Sequence, residues 1–255
     1  MTVFIQKCGG IECILSGKPR GTLRISCPTY FAAIHLVPLI NTFCQQYPEI
    51  NIELMVADRF VDIVDEGYDL AIRITSKPDP EVIARRLAAC RHVYVASPEY
   101  LAKKPAPKTP EELHHHKCIL YSHTTEWQFT KDGKSHSVKI TPSVKSNNTD
   151  VILATAVDGM GITLMPTFLA SEALGRGELE TVLDDNKTFE PQIYAVYASQ
   201  HHLPAKVRVF FDYLKERIID PPYWDHFFRE SEDPAVATTA ANSMRQSENK
   251  LLIAQ

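Results

Sequence analysis

The sequence has no basic excess. Lys and Arg number 27 against 31 Asp and Glu, a formal net charge of −4. A free-standing nucleic-acid binder would show the opposite imbalance, so that class loses support. No apolar run approaches the roughly 20 residues needed to span a bilayer, so no membrane partner is expected. The first ten residues, Met1 to Gly10, lack a basic start and an extended apolar core, which argues against a secretory signal. No pair of cysteines two residues apart occurs, which leaves a thiolate zinc knuckle without support. The six cysteines, 8, 13, 27, 44, 90 and 118, are scattered, and several fall where a buried element is expected. Free thiols and a cytoplasmic location are the expectation. There is no Gly-x-Ser-x-Gly elbow, no P-loop and no internal repeat.

What is present is the profile of a globular chain: 255 residues, 44% hydrophobic and 23% charged. Its organising stretch is Gly21 to Ile74. Three short runs there, Thr22–Cys27, Asn51–Val56 and Asp69–Ile74, read as strands, each pair separated by a helical pattern. Strands alternating with helices predict βαβ units and a parallel sheet. Ligands collect outside the carboxyl ends of such strands. Those ends, Cys27-Pro28-Thr29, Ala57-Asp58 and Arg73-Ile74-Thr75, carry no obvious catalytic group, which leans toward holding a small molecule.

The lead-in, 1–20, is broken by Gly9-Gly10, Gly17 and Pro19 and reads as irregular. Phe31, Ile34, Val37, Ile40, Phe43, Cys44 and Tyr47 recur at helical spacing. Pro38 inside that run either kinks the helix or marks a first turn after a looser segment. Arg59–Glu66 reads as a short helix, with Asp58 as N-cap and Gly67 as its left-handed stop. Further strands are read at Val82–Leu87, Cys90–Ala96, Cys118–Tyr121, Glu126–Thr130, Ser135–Thr141, Ser143–Ser146, Ile162–Met165, Glu180–Leu183 and Gln192–Ala198. Asp132-Gly133 reads as a hairpin turn. Helices are read at Asp150–Asp158, capped by Asn147-Asn148-Thr149, at Thr167–Leu174 and at Pro204–Ile219. The end of the chain, 220–255, has the composition of a largely disordered tail, although Tyr223, Trp224, Phe227 and Phe228 could dock on the body.

Several strings now occur in order: Gly21-Thr-Leu-Arg-Ile-Ser, Phe43…Tyr47-Pro48, Asp62-Ile-Val-Asp-Glu-Gly-Tyr-Asp-Leu-Ala-Ile-Arg73, Ala84-Arg-Arg-Leu87, Val95-Ala-Ser-Pro-Glu-Tyr-Leu101 and Gly159-Met-Gly-Ile…Pro166. Together they resemble the effector-binding (regulatory) half of a LysR-type transcriptional regulator, over roughly Gly21 to Ile219. The resemblance implies an α/β fold like type II periplasmic binding proteins, two Rossmann-like subdomains joined by two crossover strands. It divides the chain into subdomain I, 21–90 plus 195–219, and subdomain II, 91–194. It implies a small effector between the subdomains and an antiparallel homodimer or higher homo-oligomer. The helices around Ile34–Tyr47 and Val151–Asp158 are similar to the dimer-forming elements. An intact regulator reads DNA through an N-terminal winged helix-turn-helix. Twenty residues before Gly21 cannot contain one, so the chain is expected to be a piece of a longer regulator or a protein without that head.

The ligand-binding candidates are Cys27, Pro28, Thr29, Asp58, Arg73, Asn147 and Asn148. Free backbone N–H groups beside Pro28-Thr29 would favour an anionic effector, while simple N-capping would also explain these residues. Asn147-Asn148 occupies the matching switch in the second half, with the same two readings. Asp58 is read first as a helix cap. Arg73 could pair a ligand carboxylate or, structurally, Asp69 or Asp62. Cys27 is close enough to the expected cleft to be a candidate, though a buried structural thiol is commoner. His114-His115-His116 with Cys118 invites a metal, but consecutive histidines point apart, and neither metal nor cofactor is expected. Gly159-Met160-Gly161 follows a helix and precedes a strand, the reverse of a phosphate loop. No convergent acid, base or nucleophile can be assembled, so an enzyme is not expected. The other readings are a solute-binding protein, which the missing signal opposes, and a purely oligomerising fragment.

Overall fold

The computed structural model describes residues 18–58, 62–63, 65–122, 124–186, 188, 190–198 and 203–225. Most of the lead-in, the tail beyond 225 with Phe227 and Phe228, and part of the helix expected over Arg59–Glu66 lie outside them. Within that last stretch the described residues form turns: Glu66 N–H reaches Asp62 O, Tyr68 N–H reaches Ile63 O, and Gly67 takes φ 67°.

The first sheet has the order β2-β1-β3-β12-β4. β1 (Gly21–Cys27), β2 (Ile50–Val56) and β3 (Leu70–Thr75) are parallel; β12 (Gln192–Ala198) runs antiparallel to both β3 and β4 (Val82–Ala89). β1 lies inside the sheet, and Leu23, Ile25 and Cys27 are fully buried, as a central parallel strand requires. The second sheet has the order β11-β5-β10-β6-β9, built from β5 (His92–Ala96), β6 (Cys118–Tyr121), β9 (Pro142–Ser146), β10 (Ile162–Pro166) and β11 (Glu180–Val182). β7 (Glu126–Lys131) and β8 (Lys134–Lys139) form a separate hairpin. Its turn residues, Asp132 and Gly133, take φ 51° and 73°, the positive pair that a two-residue turn needs to match strand twist.

The chain leaves the first sheet through Cys90-Arg91 and returns after β11 into β12. Cys90 N–H donates to Pro191 O at 2.9 Å, which ties the two crossovers together. These are two α/β lobes threaded twice by one chain. They are not isolated bodies, because one apolar cluster runs from Leu23 and Phe43 in the first lobe to Ile152 and Leu169 in the second.

The helices cover the sheets. The run 29–46 consists of α1 (Thr29–Phe31), a π-helical segment Ala32–Leu36 and α2 (Val37–Gln46). The π segment ends at Leu36, just ahead of Val37-Pro38; proline has no N–H and its ring excludes a carbonyl four residues back. A looser segment before the proline, one of the two alternatives the sequence left open, is what forms. Phe43 on α2 meets Phe210 on α6 (Ala205–Arg217) edge to face at 4.9 Å. α3 (Pro98–Lys103) is capped by Ser97, whose hydroxyl accepts from Tyr100 N–H. α4 (Thr149–Val157) and α5 (Thr167–Gly175) pack in the second lobe. Gly159 ends the α4 region at φ 75°. At Gly161 a Cβ would lie 2.4 Å from Lys117 O, so these two glycines serve a turn and a close strand approach.

Candidate functional site

The strand ends of both lobes open onto one cleft of about 500 Å³. That is the size of a small-molecule site. The first lobe contributes Pro28, Ala57, Asp58, Arg73 and Ile74. The second contributes Tyr121, Trp127, Thr149, Ile152 and Leu164, and the crossovers add His92 and Pro191. Phe31 and Phe168 form an apolar floor, meeting edge to face at 5.4 Å.

Local chemistry fixes the rim. Asp58, two residues past the end of β2, turns back across the sheet, and its Oδ1 accepts the backbone N–H of Thr29 at 2.9 Å. It therefore caps the start of α1, whatever it does for the segment that follows it. On the other lobe Asn148 Oδ1 accepts from Asp150 N–H at 2.8 Å and Val151 N–H at 3.1 Å, a full N-cap of α4. Thr149, the next residue, lines the cleft.

Arg73 is buried at 8% exposure. Its Nη1 donates to Ile72 O at 2.9 Å, and both terminal nitrogens lie 3.4 Å from Ser26 Oγ. Asp69, one partner considered for it, instead accepts from Arg24 N–H and pairs with Lys206 at 2.7 Å. Cys27 is fully buried. Burial pushes its thiol pKa strongly upward; Arg73 opposes the shift and Asp58 adds to it. His92 Nδ1 lies 3.0 Å from Cys90 O, a group that only accepts, so Nδ1 carries the proton. Burial lowers the His92 pKa to about 4, against the opposing effect of that hydrogen bond.

Of the seven residues singled out from sequence, Pro28, Asp58 and Arg73 line the cleft. Thr29 and Asn148 stand at the two helix starts framing it, Cys27 lies behind the wall, and Asn147 is exposed. Sequence reasoning missed Tyr30, His92, Tyr121, Trp127, Thr149 and Phe168. Tyr30 and Thr149 adjoin residues it did select; the others come from distant strands, a crossover and the start of α5, and no local pattern marks them. His116 Nδ1 meets Tyr100 Oη at 3.1 Å, while His114 and His115 are exposed. Among the described residues no three His, Cys, Asp or Glu side chains converge for a metal ion. Among them, too, no helix is long and apolar enough to cross a membrane.

Two α/β lobes with a shared cleft at their strand ends define a small-molecule-binding fold of periplasmic-binding-protein type. The LysR substrate binding domain family matches residues 16–218, and the chain belongs to it. It is 33% identical over 205 residues to the probable HTH-type transcriptional regulator LtrA of Klebsiella pneumoniae, covering 78% of this chain and 66% of that protein. The full-length Vibrio cholerae virulence activator AphB superposes with TM-score 0.71 at 32% identity, covering 78% of this chain and 69% of that one. The regulatory domain of CrgA from Neisseria meningitidis superposes with TM-score 0.69 at 27% identity, covering 79% of this chain and all of that one. The chain thus spans about two thirds of the length of the curated regulator LtrA. These relatives are transcriptional regulators, and this chain corresponds to their ligand-sensing regulatory part.

Proposed function

We propose that the cleft binds a small effector, an acid with an apolar body, and that binding changes the angle between the lobes. The observation carrying this reading is the 500 Å³ cleft, walled by both lobes at their strand ends. The apolar body would rest on Phe31, Phe168, Ile74 and Leu164. The acid group would face the Thr29 hydroxyl beside Pro28, Arg73 and the start of α4 at Asn147-Asn148-Thr149; the Thr29 N–H is already taken by Asp58, which holds the α1 turn in place with Cys27 packed behind it. The lobes would be 21–90 plus 195–219 and 91–194, with Gln192–Tyr194 as the shared returning strand.

An effector shifts this equilibrium only by its preference for one lobe angle. Ile34 and Val37 on the first helical run, and Val151 and Met160 around α4, are 36–49% exposed apolar side chains. They support an antiparallel homodimer built from those two faces. In an intact regulator the change of angle would reach DNA through a winged helix-turn-helix and alter transcription.

The test is a thermal-shift screen of organic acids, amino acids and aromatic compounds. A ligand at a hundred times its Kd stabilises by about 2.7 kcal/mol, which is a rise of roughly 5–10 °C for a domain of this size. A screen with no such compound, together with an unchanged regulated response on Thr29→Ala, would contradict the sensing role.

A further inference from the structure

Behind the cleft floor, the segment Asp220–Asp225 touches three separate parts of the molecule. Asp220 Oδ2 accepts from Arg86 Nη2 at 2.6 Å, on β4 of the first lobe. Tyr223 Oη meets His35 Nδ1 in the π-helical segment. Asp225 Oδ1 lies 2.5 Å from Thr167 Oγ1, at the first residue of α5 in the second lobe. Thr167 in turn reaches the crossover: its N–H donates to Arg91 O at 2.9 Å.

His35 is the junction. Its Nε2 lies 3.2 Å from Phe168 O, which can only accept, so Nε2 carries the proton. Burial lowers the His35 pKa and favours the neutral ring, in which Nδ1 accepts the Tyr223 hydroxyl proton. One neutral imidazole thereby joins the first lobe, the second lobe and the C-terminal segment.

Trp224 fills the space between these anchors and is 3% exposed. Its ring centroid lies 4.5 Å from His35, 5.8 Å from Phe31 and 6.3 Å from Phe168. Phe31 and Phe168 present other parts of their surfaces to the cleft. A tail that merely covered exposed apolar surface would rest on one lobe. This one packs against both, and it brings a carboxylate to a buried hydroxyl at the crossover.

We propose that Asp220–Asp225 is a strap that holds the two lobes at a set separation and fixes the Phe31–Phe168 floor from behind. Any change of lobe angle must then move Trp224 or stretch its anchors. Trp224 is a positioning residue that acts on the cleft through those two rings. Its Nε1 is buried and has no hydrogen-bond partner among the described residues. Replacement by phenylalanine keeps an aromatic ring between those anchors and removes the unsatisfied donor, at the cost of the volume of the second ring, so it perturbs the strap less than alanine does.

The test is hydrogen–deuterium exchange of the full chain without ligand, read at Cys90 and Thr167, whose amides donate across the crossovers. Trp224→Ala should speed both by about tenfold, and Trp224→Phe, which keeps one ring, by clearly less. Phe43→Leu, in the same apolar cluster but away from the strap, is the control for general loosening. Tyr223→Phe removes the bond to His35 alone and should speed the same amides by about threefold; it decides the matter if Trp224→Ala does not fold. Crossover exchange within a factor of about two of wild type in every folded strap variant would overturn the proposal. So would an equal rise in Phe43→Leu at a matched loss of melting temperature.

Discussion

Asp58 Oδ1 accepts the backbone N–H of Thr29 at 2.9 Å, joining the segment after β2 to the start of the first helical run. The bond satisfies one of the N–H groups that every helix leaves unpaired at its start, and it fixes one rim of the cleft. Asp58→Ala should lower stability by about 1 kcal/mol, the usual loss on removing a cap. Asp58→Asn, which keeps an acceptor oxygen, should recover most of it. Equal losses in urea unfolding for both variants would mean that the charge, and not the cap, is what matters.

Asn148 makes the same kind of contact on the opposite rim, with two amides of α4. Asn148→Ala should cost about 1 kcal/mol, and Asn148→Asp should be close to neutral. Asn147 is exposed, and its side chain makes no hydrogen bond among the described residues, so Asn147→Ala should leave thermal unfolding within about 0.5 kcal/mol of wild type. A larger loss at 147 than at 148 would reverse this assignment of the cap.

Burial should govern thiol reactivity. Cys27, Cys90 and Cys118 are buried, and desolvation raises all three thiol pKa values. Cys44 is half-buried. Of these four, Cys44 should react first with an aromatic disulfide reagent in the folded protein, as mapped by peptide mass spectrometry. Early modification of Cys27 would mean that the wall behind Pro28 opens in solution.

His92 gives the fold a pH dependence of known sign. Its pKa falls from the ordinary 6.5 to about 4 in the folded chain. Between those values the unfolded chain binds the proton and the folded chain does not. Stability from this group is therefore complete above about pH 6.5 and is lost as pH falls toward 4, by on the order of 3 kcal/mol. His92→Gln should show a flatter stability profile over that window. An imidazole signal from His92 titrating near 6.5 by NMR would contradict it.

Gly161, just before β10, lies in close contact with Lys117, just before β6. Gly161→Ala would place a Cβ 2.4 Å from Lys117 O, at φ 153°. Backbone lies on the other side of that contact, so neither partner yields cheaply. A loss of about 2–4 kcal/mol is expected, measured by chemical denaturation.

Most of the scaffold is legible in the sequence because its strands are short apolar runs closed by turn residues. β1, β6, β10 and β12 fall where those runs place them, and Asp132-Gly133 forms the expected hairpin turn. The helix starts at Thr29 and Thr149 are equally local signals. The cleft is less legible because its walls are assembled across long separations. Asp58 is recognisable as a cap, yet sequence adjacency suggests the segment after it, whereas Thr29, 29 positions earlier, supplies the amide. Arg73 is recognisable as a buried-strand cation, but its approach to Ser26 on the neighbouring strand follows from sheet register, which no local pattern reveals. Trp127 and Phe168 read as ordinary strand and helix residues until the lobes face each other.

The most direct test uses the two tryptophans of the chain. In Trp224→Phe, Trp127 in the cleft wall is the remaining indole. A compound that raises the melting temperature should change Trp127 emission saturably, with the same concentration dependence. Ala57→Phe, which places a ring in the cleft, should abolish both effects while unfolding stays cooperative. Stabilisation that survives Ala57→Phe, or that leaves Trp127 emission unchanged, would place the ligand elsewhere and contradict the account.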